Sequence, residues 1–488
     1  MSTTQTAPTG APAAAHTHGN THAHFPSWAV LLIACAAQFM VILDVSIVNV
    51  ALPSMQHDLG LSTNGLQWVV NAYTLTFAGF LLFGGRAADL FGRKRVFLFG
   101  LTVFTLASVV GGFAQNEATI VAARAVQGIG GAVLAPATLS LLTTTYTEPH
   151  ARARALGIWG SVVGAGGALG ALAGGVLTDL LSWRWVLFVN GPIGLALFIG
   201  AVAVLLESKG QVRGVRSLDV PGTVTVTLGL TAIVYAIVST DTYAWGSAHT
   251  LVPLIAGLAL LGVFLLIEAR SSQPLVPLGI FRLRALSAAN GVAAFVGGGM
   301  FAYWFFLTLY LQQVHGYSPL EAGLAFLPSS VSIVIASQVS GKLVRKIGPR
   351  PLLVVGPLLT ATGLAWLSRF SADGAYATDV LPATIVLSLG LGLTMVPMTV
   401  AATAGVEPRQ AGLASGLLNT SRQVGGAVGL AVLATIANTH AGSLREAGQP
   451  AAEALTSGYG RGLLVSAGIL VLAAVAGALL PGRTAARH

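Results

Sequence analysis

Apolar residues run through this chain in long, nearly unbroken stretches. Fourteen of them fall at approximately 28–52, 67–84, 96–114, 118–142, 155–178, 184–206, 218–239, 251–267, 285–312, 321–341, 351–369, 380–405, 412–437 and 462–481. Each is near the roughly 20 residues that a helix needs to cross the hydrocarbon of a bilayer, and none of the intervening loops is large enough for a soluble domain. The pattern predicts an all-α polytopic membrane protein with fourteen transmembrane helices.

The polar positions inside those runs are few, and the first run holds the most telling one. Asp44 sits about two thirds of the way along it, on a face shared with Ala37, Met40, Ile47, Val48 and Ala51. No other Asp or Glu lies so deep in an apolar run. A carboxylate at that depth costs at least a few kcal/mol unless it faces a partner or a water-filled cavity. Gln38 and Asn49 form a second polar stripe, eleven residues and about three turns apart. A helix with two polar surfaces cannot face lipid all round.

Composition agrees with the pattern. Of 488 residues 54% are hydrophobic and 8% charged, with 60 glycines; a soluble domain carries about 25% charged residues. Small residues let membrane helices approach closely. The one cysteine, Cys35, excludes an intrachain disulfide framework and a cysteine metal cluster. A net charge of +9 would suggest nucleic acid in a soluble protein, but here the loops account for it. Nineteen of the 25 Lys and Arg fall in loops on the side of the N-terminal tail, four on the other side, and Arg124 and Arg422 inside helices. Positive loops stay in the cytoplasm, so both termini are expected there. Residues 1–26, rich in Thr, Ala, Pro, Gly and His, read as a disordered tail rather than a signal peptide. His16, His18, His22 and His24 within it are too weak a signal for a metal site.

The chain also repeats itself. Gly85-Arg86-Ala87-Ala88-Asp89-Leu90-Phe91-Gly92-Arg93-Lys94-Arg95 joins the second and third runs. Gly341-Lys342-Leu343-Val344-Arg345-Lys346-Ile347-Gly348-Pro349-Arg350 joins the tenth and eleventh with the same glycine spacing. The expected division is a six-helix bundle at 27–206, two additional helices with their linkers at 207–280, a second six-helix bundle at 281–482 and a cytoplasmic tail at 483–488. Parallel halves of this kind are a transporter architecture with the site between them at the midplane.

The first of these turns resembles the signature of the major facilitator superfamily, Gly-x-Leu-Ala-Asp-Arg-x-Gly-Arg-Lys. Gly85, Ala88, Asp89, Gly92, Arg93 and Lys94 match, while Ala87 and Leu90 depart from it. Arg124, Gln127 and Gly128 are similar to the family's Arg-x-x-Gln-Gly motif, whose arginine faces the central cavity and is linked to proton coupling. The fifth run, with Gly157, Gly166, Gly170 and Gly174, resembles the antiporter motif of the exporters, although Ala171 stands where the family has proline. Three further stretches resemble the fourteen-helix drug:proton antiporters: Leu43-Asp44 with Asn49-Val50-Ala51-Leu52-Pro53, Trp183 to Gly194, and Ala411 to Gly416 with Asn419, Arg422 and Gln423.

The resemblance implies a major facilitator fold and export of small lipophilic, often cationic compounds in exchange for protons, in the plasma membrane of a bacterium. It implies proton coupling at Asp44 and Arg124, where desolvation favours the neutral acid and the guanidinium favours the carboxylate. Gly85, Asp89, Gly92, Arg93, Gly166, Gly170 and Gly174 are the gating candidates. Gln38, Asn49, Asn71, Gln127, Tyr235, Tyr303 and Asn419 are candidates for the cavity wall. No cofactor, metal or nucleic-acid partner is expected, and a monomer is. No paired intramembrane carboxylates, metal-ligand spacing, Gly-x-Ser-x-Gly or Walker-type loop points to an enzyme. An importer or uniporter of a small metabolite on the same fold, and a non-transporting sensor, stay open.

Overall fold

A computed structural model describes residues 26–206, 219–240, 242–271, 274–406 and 410–481, so the tail with its histidines lies outside the described residues. The described chain is helical, without strands. Its helices are α1 (Ser27–Leu59), α2 (Thr63–Phe91), α3 (Arg93–Gly112), α4 (Glu117–Thr145), α5 (Pro149–Leu180), the short α6 (Trp185–Phe188), α7 (Asn190–Val204), α8 (Val220–Ser239) and α9 (Ala248–Arg270). They continue with α10 (Arg284–Leu309), α11 (Pro319–Ala325), α12 (Leu327–Ile347), α13 (Pro349–Leu367), α14 (Leu381–Thr403), α15 (Ala411–Glu446) and α16 (Ala451–Ala478). Thirteen helical stretches among the described residues are long and apolar enough to cross a membrane, with α6–α7 and α11–α12 each making one span. The fourteenth expected crossing is α5, 32 residues long, whose described apolar part is Leu169–Leu180.

Several helices outrun the apolar segments that predict them, because a helix stops at a cap rather than where polarity begins. α1 continues to Leu59 and ends on Gly60 at φ 60°. α2 starts on Ser62, whose hydroxyl accepts from the Gly65 amide at 2.9 Å, and α4 starts on Asn116, which accepts from Thr119 at 2.9 Å. Glu148 accepts from the His150 and Ala151 amides at the start of α5, and these donors hold its carboxyl below the usual range.

The paired turns have matching backbones. Gly92 links α2 to α3 at φ 96° and Gly348 links α12 to α13 at φ 82°, a region that a side chain disfavours. We call the end of the molecule that carries these turns the basic end. α8 and α9 pair with each other beside α2 and α15. They are central in the sequence but at the rim in space, and α9 buries little beyond Thr250, Gly257 and Glu268.

Glycine sets how near the helices lie. A Cβ on Gly425 of α15 would stand 2.0 Å from the Ala294 carbonyl of α10, and one on Gly130 of α4 2.4 Å from the Phe104 amide of α3. On α5, Gly166 meets Ile42, Gly170 meets Ser46 and Gly174 meets the Ile47 carbonyl, so this stripe seats α5 on α1. With Ala171 in place of proline, α5 runs on unbroken.

The two halves touch closely at the end opposite the basic one. Gln312 Nε2 donates to the Val50 carbonyl at 2.8 Å, and Gln313 Nε2 to Gln56 Oε1 at 2.8 Å. There α5 meets α11, with Gly175 against the Pro319 carbonyl and Gly323 against that of Ala171. Towards the basic end of α5 a Cβ on Gly160 would meet nothing within 4 Å. Gly425→Val should therefore destabilise the protein by about 1–3 kcal/mol through overpacking, while Gly160→Ala should be neutral or slightly stabilising. Thermal melting of the purified variants checks the pair, and equal effects would contradict the contact map.

Candidate functional site

Asp44 is fully buried among α1, α4 and α7, with 0% of its surface exposed. Its Oδ2 accepts from Arg124 Nη1 at 2.6 Å. Its Oδ1 accepts from Gln127 Nε2 at 2.7 Å and from Asn190 Nδ2 at 2.9 Å. The same Arg124 nitrogen donates to Gln127 Oε1 at 2.7 Å, and Arg124 Nε donates to the Val69 carbonyl at 3.2 Å. The guanidinium lies over the Tyr73 ring, 4.3 Å from its centroid.

The spacing on α4 explains the trio. Arg124 and Gln127 are three residues apart and share a face, and Gly128 beside them admits α2 at the Tyr73 carbonyl. Asn190, at the first position of α7, spans between Asp44 and Ser108 Oγ of α3 at 2.9 Å. Ser108 in turn donates to the Leu187 carbonyl at 2.8 Å. A chain of polar contacts thus ties α1, α3, α4 and α7 into one cluster.

Every neighbour that bonds to Asp44 does so through an N–H. An ionised carboxylate accepts only, whereas a protonated one needs an acceptor for its O–H. The arrangement therefore fits the carboxylate. Charge balance says the same, because neutralising Asp44 would leave the buried Arg124 without its counter-ion.

The other sequence candidates are dispersed. Gln38 accepts from Thr138 at 3.2 Å nearer the basic end, and Trp159 donates to the same hydroxyl at 3.3 Å. Asn49 is spent locally on the Val45 carbonyl at 2.9 Å. Asn71 is buried on α2 with both amide atoms unpartnered, and so is Gln67 one turn before it, a residue the sequence reading missed. Tyr235 on α8 is 46% exposed at the rim, its ring 6.4 Å from that of Trp68. Tyr303 is buried in the second half, its hydroxyl 3.4 Å from Ser329 Oγ. Asn419 accepts from Arg422 Nη2 at 2.9 Å. Only Gln127 of the seven joins Asp44.

In the basic turn Arg93 donates from Nε to Ser140 Oγ of α4 at 2.7 Å, and Gly85 faces Pro136 of α4. The Asp89 side chain lies outside the described residues. At the opposite end Asp58 pairs with Arg184 and accepts from Trp183 Nε1 at 2.8 Å, which pins the end of α1 to the start of α6. Asn190 and Ser108 were missed as site residues. The signal for Asn190 was present, since an amide at the head of so apolar a helix needs a partner.

A sequence model described as Major Facilitator Superfamily matches residues 34–430. The chain belongs to this superfamily. It is 45% identical, over 92% of its own length and 92% of the relative's, to the cephamycin export protein CmcT of Amycolatopsis lactamdurans. It is 42% identical to the puromycin resistance protein pur8 of Streptomyces alboniger, over 94% of this chain and 92% of that one. The fold is similar to that of the POT family transporter PepTSo, at a TM-score of 0.67 and 15% identity over 93% of this chain and 98% of that one. The crystal structure of a D-xylose–proton symporter matches at a TM-score of 0.65 and 14% identity, over 94% and 99%. This superfamily member is a multi-pass membrane transporter.

Losing one partner of a buried pair costs about 3–5 kcal/mol, because the other charge is left uncompensated. Arg124→Met alone should fall in that range, and the double variant Asp44→Leu/Arg124→Met should recover at least half of the loss. Melting of the purified variants tests this. Additive losses would mean that the two charges are not coupled.

Proposed function

We propose that this protein is a drug:proton antiporter that exports a small lipophilic, antibiotic-like compound from a bacterial cell. The relatives support export, since the two most similar ones described above are named for cephamycin export and puromycin resistance. A third, the tetracenomycin C resistance and export protein of Streptomyces glaucescens, is 36% identical over 86% of this chain. The loop charges support a plasma-membrane protein with the basic end and both termini on the cytoplasmic side. The inward-facing state is then the one in which the halves keep their contacts at the opposite end and part at the basic end, where Leu82 of α2 now meets Gly416 of α15.

The single observation that supports the coupling is the Asp44 carboxylate held by three N–H donors in a buried cluster. In the inward-facing state substrate binding is coupled to loss of the Asp44 proton to the cytoplasm, and Arg124 then stabilises the charge. Substrate enters the cleft between the halves. Opening at the far end separates α1 from α4 enough for Asp44 to take a proton from outside, and Arg124 turns to Gln127 and the Val69 carbonyl. The carboxyl then returns neutral. The substrate leaves during the outward phase, so one compound goes out as protons come in. A monomer in the bilayer suffices, with Asn71 and Gln127 offering polar groups to the substrate and no cofactor involved.

The turn at Gly85, Asp89, Gly92 and Arg93, and the α5 glycines 166, 170 and 174, are proposed to set the balance between access states. Asp89→Asn should slow turnover several-fold with substrate affinity little changed. Unaltered turnover would remove Asp89 from gating.

For the coupling, Asp44→Asn should abolish uphill efflux driven by a proton gradient in proteoliposomes, yet still exchange labelled for unlabelled substrate across the membrane. If Asp44→Asn still pumps at the normal rate, the coupling residue is elsewhere. Dye accumulation in cells decides direction, since an exporter lowers it while the gradient is intact and an importer raises it.

A further inference from the structure

A cavity of about 490 Å³ opens at the end opposite the basic one, between the end of α13, the end of α15 and the start of α16. Phe370 and Ser371 line it after α13, His440 from α15, and Glu453, Arg461 and Leu464 from α16. Close contacts hold these helices around it. A Cβ on Gly460 would stand 2.6 Å from the Ser368 carbonyl, and His440 Nε2 lies 3.1 Å from Ser457 Oγ. None of the residues around Asp44 lines this cavity.

Arg461 and Glu453 put one charge of each sign into the wall, and neither has a hydrogen-bond or ion-pair partner among the described residues. They stand eight residues apart, about 12 Å of helix rise. Leu464 begins a stripe of α16 continued by Val471, Leu472 and Val475, whose side chains are 43–54% exposed. On the same stripe a Cβ at Gly468 would meet nothing within 4 Å. Exposed apolar side chains on a spanning helix face lipid tails.

The order along α16 is therefore an apolar stripe, then a cation one turn further out, then an acid two turns beyond that. A phospholipid with an amine in its headgroup presents acyl chains, phosphate and ammonium in the same order. We propose that the cavity holds the headgroup of such a lipid, with its phosphate on Arg461, its amine on Glu453 and an acyl chain along the Leu464 stripe. Both polar contacts are charge-assisted hydrogen bonds. A soluble zwitterion would match the charges but not the stripe.

The cavity backs onto the contact between the two halves. The Tyr310 ring lies 4.1 Å from that of Phe370, and its hydroxyl donates to the Ser371 carbonyl at 2.7 Å. Tyr310 opens the turn Tyr310–Val314, which carries Gln312 and Gln313 to Val50 and Gln56 of α1. From α16, Tyr459 donates to Gln313 Oε1 at 3.1 Å. A headgroup that fixes Phe370, Ser371 and the start of α16 braces this turn from behind. The lipid thus favours arrangements in which the halves stay joined at this end, whatever compound is exported and however it is coupled.

Native mass spectrometry of the full-length protein, titrated with phosphatidylethanolamine, phosphatidylcholine or phosphatidylglycerol, tests the site. The wild type should hold one phosphatidylethanolamine about three- to fivefold more tightly than either of the others. Phosphatidylcholine has no N–H on its amine, and phosphatidylglycerol has no amine. Arg461→Gln and Glu453→Gln should each lose that preference, and both residues are exposed, so neither change disturbs the packed interior. Glycerophosphoethanolamine, the headgroup without chains, should not displace the lipid. Spin labels on Thr63→Cys and Ala447→Cys, in a Cys35→Ser background, report the contact between the halves in nanodiscs. Phosphatidylethanolamine should give one short distance, and phosphatidylcholine alone should add a longer one. Tyr459→Phe should keep the lipid preference but lose this difference in distance. Equal retention of the three lipids by the wild type would overturn the proposal, as would an unchanged preference in both Gln variants. Displacement by the chain-free headgroup, or identical distances in the two lipids, would overturn it as well.

Discussion

A carboxylate and a guanidinium cannot be left singly in the interior of a membrane protein, and the first half of this molecule is arranged around that constraint. Asp44 and Arg124 come from helices 80 residues apart, and both are excluded from solvent. Gln127, Asn190 and the Val69 carbonyl hydrogen-bond to the pair, Ser108 holds Asn190, and the Tyr73 ring lies against the guanidinium. The result holds four helices in register through polar contacts, in a setting where apolar surface gives no preference for one helix partner over lipid. In the proposed coupling the same bonds define two states, one with the charges paired and the cluster closed, as in this structure, and one with the acid neutral and the cluster open.

Close helix approach makes such an element mechanically useful. The glycines of α5 bring its backbone against α1, the helix that carries Asp44. At the far end α5 meets α11 of the other half through Gly175 and Gly323, where a Cβ would strike a carbonyl. In the proposed cycle a change at Asp44 therefore reaches the contact between the halves through closely packed backbone. Packed interfaces of this kind favour discrete arrangements over gradual deformation.

Much of this was legible in the sequence. Run lengths and loop charges set out the helices, and the depth of Asp44 with the Arg124–Gln127 spacing singled out the core of the site. The turns at Gly92 and Gly348 were readable because only glycine suits their backbone. What sequence could not supply was direction in space. Tyr235 looked like a cavity residue but points to the rim, since α8 and α9 lie beside the bundle. Asn49 looked like a second polar stripe but bonds its own helix. Asn190 and Ser108 escaped because a single polar residue in an apolar helix does not reveal which neighbour it meets. The burial of Asp219 and Glu268 escaped for another reason: each acid stands beside a loop, where exposure is the ordinary expectation, and only the fold buries them.

The central claim is that Asp44 gives up and regains the transported proton. It is tested most directly by adding an exported compound to the purified, weakly buffered protein and recording protons with a pH indicator. The account predicts that the wild type releases protons on binding near neutral pH and that Asp44→Asn binds the compound with no such release. Equal release by the two proteins would contradict it.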